Sequence, residues 1–273
     1  MPSDPAASMG EIDNHQQFLA EQTEAERASH YPYDAPEGGF VLDHGRLVKL
    51  RDPSILDGRV AVLSVGSNRA PVQLLRKFGG SAVVAGTPAL QPECDKVQVA
   101  LVSYYGAVPC TAFPSPGTDV KLNIAWLDDD QLQTMHRTEA VGIAYDYVRL
   151  FAGIVSHLPV LDAGGEIVPP ASPVFGYSAC GGVLDVGGGQ PAGLARIPAR
   201  NRRFQTLSQA SAAALIHGLA DDGRGDAATF VPRIVEDRSF RSAVNESLQR
   251  RAIDGDGPWK IQRVESGDFD AYL

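Results

Sequence analysis

The chain has 273 residues, enough to bury a substantial core within one elaborated domain or within two. Its formal charge of −9 argues against nucleic acid or an anionic membrane as the main partner, and no apolar run approaches the roughly 18 residues of a membrane span. Three widely spaced cysteines indicate neither a disulfide framework nor a cysteine-type zinc site, and the first residues lack a signal-peptide pattern. We therefore expect a soluble protein of the reducing cytoplasm.

Residues 1–35 are polar and acidic with a weak helical signal, which predicts an N-terminal arm or peripheral helix. A β-hairpin is expected at 39–50, around a turn formed by Asp43, His44 and Gly45. Farther on, prolines separate several apolar runs, which predicts short strands at 81–85, 97–105, 108–113 and 120–125. Together these strands predict a β-rich core over residues 36–205.

The most informative stretch is the apolar, β-branched run at 60–65, which stops abruptly at Gly66, Ser67 and Asn68 (the 66–68 loop). A helical pattern begins at Pro71, and we expect Ser67 or Asn68 to cap that helix. The free backbone N–H groups of such a loop and the positive end of the helix dipole favour an anion or a carbonyl oxygen. An ordinary turn is the commoner case, but the loop is a candidate binding site.

A second element follows about seventy residues later, where Asp128 or Asp129 is expected to cap a short helix. Glu139 falls near the end of this helix, where it opposes the helix dipole, and precedes an alternating strand with Tyr145. If it is buried, Glu139 is a candidate general acid/base; otherwise it is a solvated residue that closes a helix. His136 lies one turn earlier and is interpreted as solvent-facing more readily than as a substrate contact.

Residues 151–200 are rich in Gly and Pro and indicate an insertion or a sheet extension, with short strands at 154–161 and 193–197. A Gly-rich run from Gly187 is interpreted as a turn and not as a dinucleotide motif, because no helix follows it. From residue 206 a helical extension packed on the core is expected over 206–273, with apolar residues in 3.6-residue spacing at 207–219, 227–236 and 239–253.

The loop and the glutamate together resemble the γ-glutamyl cyclotransferase-like family. In that family a strand ends in Tyr-Gly-Ser-Asn, and a later Leu-Asp-x-x-Glu pattern precedes a strand that contains Tyr. Here the 66–68 loop follows Val65 in place of the first Tyr, and Glu139 follows His136 in place of the Asp. The match covers roughly residues 59–150. It implies an α+β fold, with a mixed β-sheet or small barrel of γ-glutamyl cyclotransferase-like type and extra C-terminal helices.

The resemblance also implies a reaction. An amine of the substrate attacks its own amide carbonyl, which closes a lactam and cleaves a C–N bond in a small γ-glutamyl-type amide. Glu139 is then the general acid/base, and neither a cofactor nor a metal is expected. Arg69 adjoins the loop and could bind a carboxylate. The expected substrate-binding set is Gly66, Ser67, Asn68, Arg69, Tyr104, Tyr105, His136 and Tyr145.

Two alternatives stay open. The chain could hydrolyse a small ureido or amide acid, or it could use the same pocket without catalysis, as a binding or scaffold protein. In each case the expected partner is a small polar metabolite, and a homo-oligomer is neither required nor excluded. The six histidines lack the spacing of metal ligands, so the sequence predicts no metal site.

Overall fold

The structure is a computed structural model that describes residues 23–36, 40–43, 46–48, 53–79, 84–157, 173–220 and 226–264. Over these residues the chain is a mixed α+β protein with a curled half-barrel sheet and six helices. The helices are α1 (Glu24–Ser29), α2 (Pro71–Phe78), α3 (Asp129–Thr138), α4 (Gln209–Ala220), α5 (Ala227–Glu236) and α6 (Arg238–Gln249). Short 3₁₀ turns lie at Pro53–Leu56 and Ser67–Arg69.

Twelve strands of the described residues form the curled sheet, and two more form a small separate pair. The strands are β1 (Phe40–Asp43), β2 (Arg46–Val48), β3 (Val60–Ser64), β4 (Val84–Gln98), β5 (Cys110–Leu127), β6 (Tyr145–Leu150), β7 (Ser156–His157), β8 (Val174–Ala179), β9 (Val183–Leu184), β10 (Gly193–Leu194), β11 (Ala199–Arg200), β12 (Thr206–Leu207), β13 (Ala252–Ile253) and β14 (Trp259–Ile261).

The main path through the sheet runs β12-β10-β4-β5-β3-β8-β6-β14. Strand β3 pairs antiparallel with β5 and parallel with β8, so the sheet is mixed. The expected central strand at 59–65 is confirmed as β3, and the helix after it as α2. The strand expected after Glu139 is β6, which lies in the same sheet with β8 between it and β3. This order brings the end of β3 and the start of β6 to one region of the molecule.

The prediction of several short strands between 81 and 127 is wrong. Strands β4 and β5 instead form one long antiparallel hairpin, and prolines lie inside both. The register of the hairpin shifts between Pro92 and Cys94, and a proline is tolerated at such a bulge because no ladder hydrogen bond requires its missing N–H. The expected strand at 97–105 also ends early, at Gln98, because residues 99–109 form a loop.

The hairpin expected at 39–50 is confirmed by the pairing of β1 with β2, and its turn at 44–45 lies outside the described residues. The three C-terminal helices are confirmed as α4, α5 and α6. Apolar residues such as Ile216, Ile234 and Leu248 pack them on the loop at 99–109, against Val102 and Val108. These helices therefore cover the connection between the two long strands.

The two faces of β3 contribute to two different clusters, as the alternation of side chains along a strand requires. Ala61 and Leu63 lie in one cluster, and Val62 lies in the other. The first cluster also contains Tyr31, which follows α1 and is 5 % exposed. Tyr31 is thus buried in the core, whereas α1 before it has one buried residue, Ala28, and residues 1–22 of the expected arm lie outside the described residues.

Candidate active site

The 66–68 loop leads into a 3₁₀ turn at Ser67–Arg69, and α2 begins only after Ala70, its N-cap residue. No side chain caps α2, so the prediction that Ser67 or Asn68 does so is wrong, although Pro71 occupies the first turn as expected. Because this 3₁₀ turn precedes α2, the Asn68 side chain is not directed at the start of α2. Its Nδ2 donates a hydrogen bond to Glu139 Oε1 at 3.0 Å.

Glu139 is positioned by the ends of α3. Asp128 caps the start of α3: its Oδ1 accepts from the backbone N–H of Gln131 at 2.9 Å, and the Gln131 side chain accepts from the Asp128 N–H. The helix ends at Thr138, and Glu139 is its C-cap residue. The Glu139 side chain is 16 % exposed. The carboxylate is therefore mostly buried, and it faces the loop at the end of β3.

A cavity of about 610 Å³ lies between these two elements and the loop at 99–109. This volume falls within the range of small-molecule sites. The residues that line it include Glu139 and six of the expected substrate contacts: Gly66, Ser67, Asn68, Tyr104, Tyr105 and Tyr145. The two elements that the sequence singled out thus meet in one cavity.

Lys77 was not foreseen from the sequence. Its Nζ forms an ion pair with Glu139 Oε1 and lies 3.3 Å from Met135 Sδ, and its side chain is only 5 % exposed. A lysine in the last turn of a helix is ordinary, because it complements the dipole and is usually solvated. The sequence pattern around Lys77 therefore carries no signal that it pairs with a residue 62 positions away.

The floor of the cavity is formed in part by Tyr31 and Cys110. The Tyr31 hydroxyl accepts from the backbone N–H of Cys110 at 3.3 Å and lies 3.5 Å from its Sγ. A Cβ on Gly66 would collide with this hydroxyl, so glycine is required there by packing inside the protein. Burial raises the pKa of the Cys110 thiol to about 11, which leaves it protonated and unreactive at neutral pH.

Two tyrosines present hydroxyl groups to the same cavity. Burial raises the pKa of Tyr105 and of Tyr145 well above the usual range, and the nearby negative charge of Glu139 adds to that effect at both. Both hydroxyls stay protonated at neutral pH and can donate hydrogen bonds. Tyr104 is 40 % exposed and lies at the edge of the cavity, where its ring packs edge-on against Tyr105.

His136 does not face solvent, so that interpretation is wrong. It is 3 % exposed, its Nδ1 lies 3.0 Å from the Tyr177 hydroxyl, and its ring packs edge-on against Tyr147. It is also not among the residues that line the cavity, so the expected substrate contact is not formed. Burial lowers the pKa of His136 to about 4, which keeps the imidazole neutral.

Arg69 likewise lies away from the cavity. It is 8 % exposed, and burial lowers the pKa of its guanidinium. In a 3₁₀ turn successive side chains are about 120° apart, so a turn that directs Asn68 to Glu139 directs Arg69 elsewhere. The expected carboxylate contact at Arg69 is therefore not formed by this geometry.

The expected glycine-rich turn is confirmed at Gly187, Gly188 and Gly189, all with positive φ. The Asp185 carboxylate accepts backbone N–H groups from this turn, including that of Gly187 at 2.8 Å. The carboxylate thus occupies the position where a phosphate would have to bind.

No protein-family model matches the chain, and neither the curated proteins nor the solved structures contain a match. Among the described residues, no helix is long and apolar enough to cross a membrane. The same residues contain no cluster of three or more His, Cys, Asp or Glu side chains that could hold a metal ion.

Proposed function

We propose that the chain is an enzyme that cleaves a C–N bond in a small γ-glutamyl-type amide by intramolecular cyclisation, on a half-barrel of the γ-glutamyl cyclotransferase-like type. One observation carries the proposal. Asn68 and Glu139 are 71 residues apart in the sequence, yet they are hydrogen-bonded to each other in a cavity of about 610 Å³. This cavity combines a carboxylate with backbone N–H groups and protonated tyrosines, which suits acyl-transfer chemistry.

In the proposed reaction, the neutral amine of the substrate attacks the carbonyl carbon of its own side-chain amide. Glu139 takes a proton from the attacking nitrogen as the new C–N bond forms. The negative charge that develops on the carbonyl oxygen is stabilised by N–H groups of the 66–68 loop, which begin a 3₁₀ turn and lack acceptors within it. Glu139 then gives its proton to the leaving nitrogen, the old C–N bond breaks, and a lactam and an amine are released.

The protein does not have to supply a nucleophile for this reaction. It has to hold the substrate in a bent conformation, which can lower the barrier by several kcal/mol through proximity. Tyr105 and Tyr145 support this task because both line the cavity and both hydroxyls stay protonated, so they can donate hydrogen bonds to a substrate. As general base, Glu139 has to begin as a carboxylate, and the ammonium of Lys77 stabilises that charge.

The same ion pair favours a second candidate, a protein that binds a small polar metabolite without catalysis. Lys77 Nζ contacts Glu139 Oε1, so Lys77 would have to move before a substrate amine could reach that oxygen. The binding hypothesis needs no such movement. Hydrolysis of a small ureido or amide acid is a third candidate, and it differs in its product, because no lactam is formed.

The experiment uses the purified full chain with γ-glutamyl amines, dipeptides and small ureido acids, and measures amine release and lactam formation separately. We expect Glu139→Gln to keep the fold and substrate binding but to lose turnover by about 10²–10⁴-fold, since Gln keeps the hydrogen bond to Asn68 and cannot transfer the proton. The matched control is Glu246→Gln, at an exposed position of α6 that does not line the cavity.

The outcomes separate the candidates. Amine release together with a lactam supports the cyclisation, and amine release without a lactam supports the hydrolase. If the wild type turns over none of these compounds but binds one of them, the non-catalytic hypothesis replaces the enzyme. Turnover of Glu139→Gln at the wild-type rate would show that Glu139 is not the acid/base.

A further inference from the structure

The charges around the cavity differ from those of the whole chain. The protein has a formal charge of −9, yet six basic side chains line the cavity. Among the described residues that line it, Glu139 is the sole carboxylate. The basic residues come from four helices: Arg27 on α1, Arg76 and Lys77 on α2, Arg137 on α3, and Arg238 and Arg241 on α6.

Four of these arginines lie on α1, α2 and α6 and line the cavity, and we call them the arginine arc (Arg27, Arg76, Arg238 and Arg241). The Arg76 guanidinium lies 5.6 Å from the centre of the Tyr33 ring, and the charges of both Arg76 and Arg27 act on that tyrosine. At the other end of the arc, burial lowers the pKa of Arg241, and the charge of Arg238 lowers it further. Arg238 and Arg241 are thus close enough to repel each other.

The arginine arc combines exposed and buried groups, because Arg76 and Arg238 are exposed, Arg27 is half-buried and Arg241 is buried. Arg241 is 8 % exposed, and its Nη1 donates to the Ile234 carbonyl at 2.7 Å, which holds the guanidinium in place beside the end of α5. Carboxylates contact some of the basic groups that line the cavity. Glu24 pairs with Arg27 at 3.2 Å and Glu139 pairs with Lys77, while Asp237 lies close enough to act on Arg241.

Like charges that converge on a partly buried site disfavour the empty state, and a bound anion relieves their repulsion. Guanidinium groups match carboxylates and phosphates in particular, because they can donate two parallel hydrogen bonds. A cavity of about 610 Å³ admits a molecule of metabolite size. Its lining includes both the arginine arc and Glu139 with the 66–68 loop.

We infer that the cavity binds a small molecule with at least two anionic groups, carboxylates or phosphates, and that the arginine arc binds them. This names the substrate class of the same site, and it rests on the proposed function only in placing the reacting amide at Glu139. The substrate would then be a polyanionic amide, whose acidic groups contact the arginine arc.

The test measures binding and not turnover. Calorimetry and thermal unfolding are carried out on the full chain with tricarballylate, pyrophosphate and acetate at matched ionic strength. We expect tricarballylate or pyrophosphate to bind more tightly than acetate and to raise the unfolding temperature. Preference for tricarballylate indicates a polycarboxylate ligand, and preference for pyrophosphate indicates a phosphorylated one.

Variants then test the arginine arc. We expect Arg238→Gln and Arg76→Gln each to weaken binding of the preferred anion by about tenfold or more, because each removes a charged donor. The matched control, Arg149→Gln on the exposed side of β6, should bind like the wild type. Glu139→Gln should bind the anion at least as tightly as the wild type, because it removes a negative charge from the cavity.

The inference is overturned if both polyanions bind no better than acetate, or if Arg238→Gln and Arg76→Gln keep wild-type affinity. It is also overturned if Arg149→Gln loses as much affinity as they do, because the attraction would then be general. Since no step of this test needs turnover, it can succeed even if Glu139→Gln shows that the proposed reaction is wrong.

Discussion

Replacing Lys77 by Met removes the ammonium from the Glu139 carboxylate and leaves that carboxylate mostly buried without its cation. Methionine keeps most of the length of the lysine stem, and its thioether can still pack against Met135. The hydrogen bond from Asn68 Nδ2 to Glu139 Oε1 is untouched. The change therefore isolates the charge of Lys77 from its packing.

The magnitude depends on how far water screens the pair. Exposed ion pairs contribute less than about 1 kcal/mol, whereas removal of one partner from a buried pair costs about 3–5 kcal/mol. Here the side chains of Lys77 and Glu139 are 5 % and 16 % exposed, but Glu139 faces a cavity of about 610 Å³ that can hold water. We expect Lys77→Met to lower the free energy of unfolding by about 2–3 kcal/mol, between the exposed and the buried range.

The assay is a double-mutant cycle in urea, with wild type, Lys77→Met, Glu139→Gln and the double variant. Each single variant leaves one buried charge unpaired, and the double variant leaves none, so the two losses should not add. We expect a coupling energy of at least about 1 kcal/mol. The matched control is Lys260→Met, on an exposed position of β14, which should stay within about 0.5 kcal/mol of wild type.

The reasoning is refuted if Lys77→Met loses less than about 0.5 kcal/mol and the two variants are additive. That result would mean that water in the cavity screens the two charges from each other. Lys77 would then not hold Glu139 in place.

Two further predictions concern Gly66, which lies against Tyr31, and the buried His136. Gly66→Ala should lower the free energy of unfolding by about 1–3 kcal/mol, because the new methyl group collides with the buried Tyr31 hydroxyl. Adding Tyr31→Phe should recover part of that loss, and an unchanged loss would place the strain elsewhere. His136, with a pKa of about 4 in the folded state against about 6.5 unfolded, contributes stability that is present above about pH 6.5 and is lost as the pH falls toward 4. Between about pH 6.5 and 4, we expect the free energy of unfolding of His136→Gln, measured by urea denaturation, to fall by up to about 3 kcal/mol less than that of the wild type. An equal fall in both proteins would contradict the prediction.

Local periodicity was sufficient to predict most of the helices and the strand that leads to the 66–68 loop. The run at 60–65 and the helix after it, the short helix before Glu139 and the three C-terminal helices all appear close to the expected bounds. These patterns work because the period of side-chain burial is a property of each element alone. The main error in the predicted strands came from proline. Its effect depends on its place in the hydrogen-bond ladder, and the bulge at Pro92 is set by pairing with β5.

At the site, the sequence identified the loop and the glutamate but not their partners. The length of the turn after β3 decides whether Asn68 or Arg69 faces Glu139. With the 3₁₀ turn at Ser67–Arg69, it is Asn68 that does so. The burial of His136 depends on Tyr147 and Tyr177, which reach it from two neighbouring strands. The direction of a side chain at such positions cannot be predicted from the spacing of apolar residues along one element.

The sequence by itself determined the mixed α+β class, the strand and helix that flank the 66–68 loop, and the selection of Glu139 as the candidate general acid/base. Only the tertiary structure decided that the loop and Glu139 share a cavity, that Lys77 pairs with the glutamate, and that arginines from different helices converge on the same space. The physical reason is the range of the interactions. Caps and amphipathic periods act over one or two turns, whereas the contacts of Glu139 with Lys77 and Asn68 join residues 62 and 71 positions apart. They exist because β8 lies between β3 and β6 in the sheet and brings the two elements together.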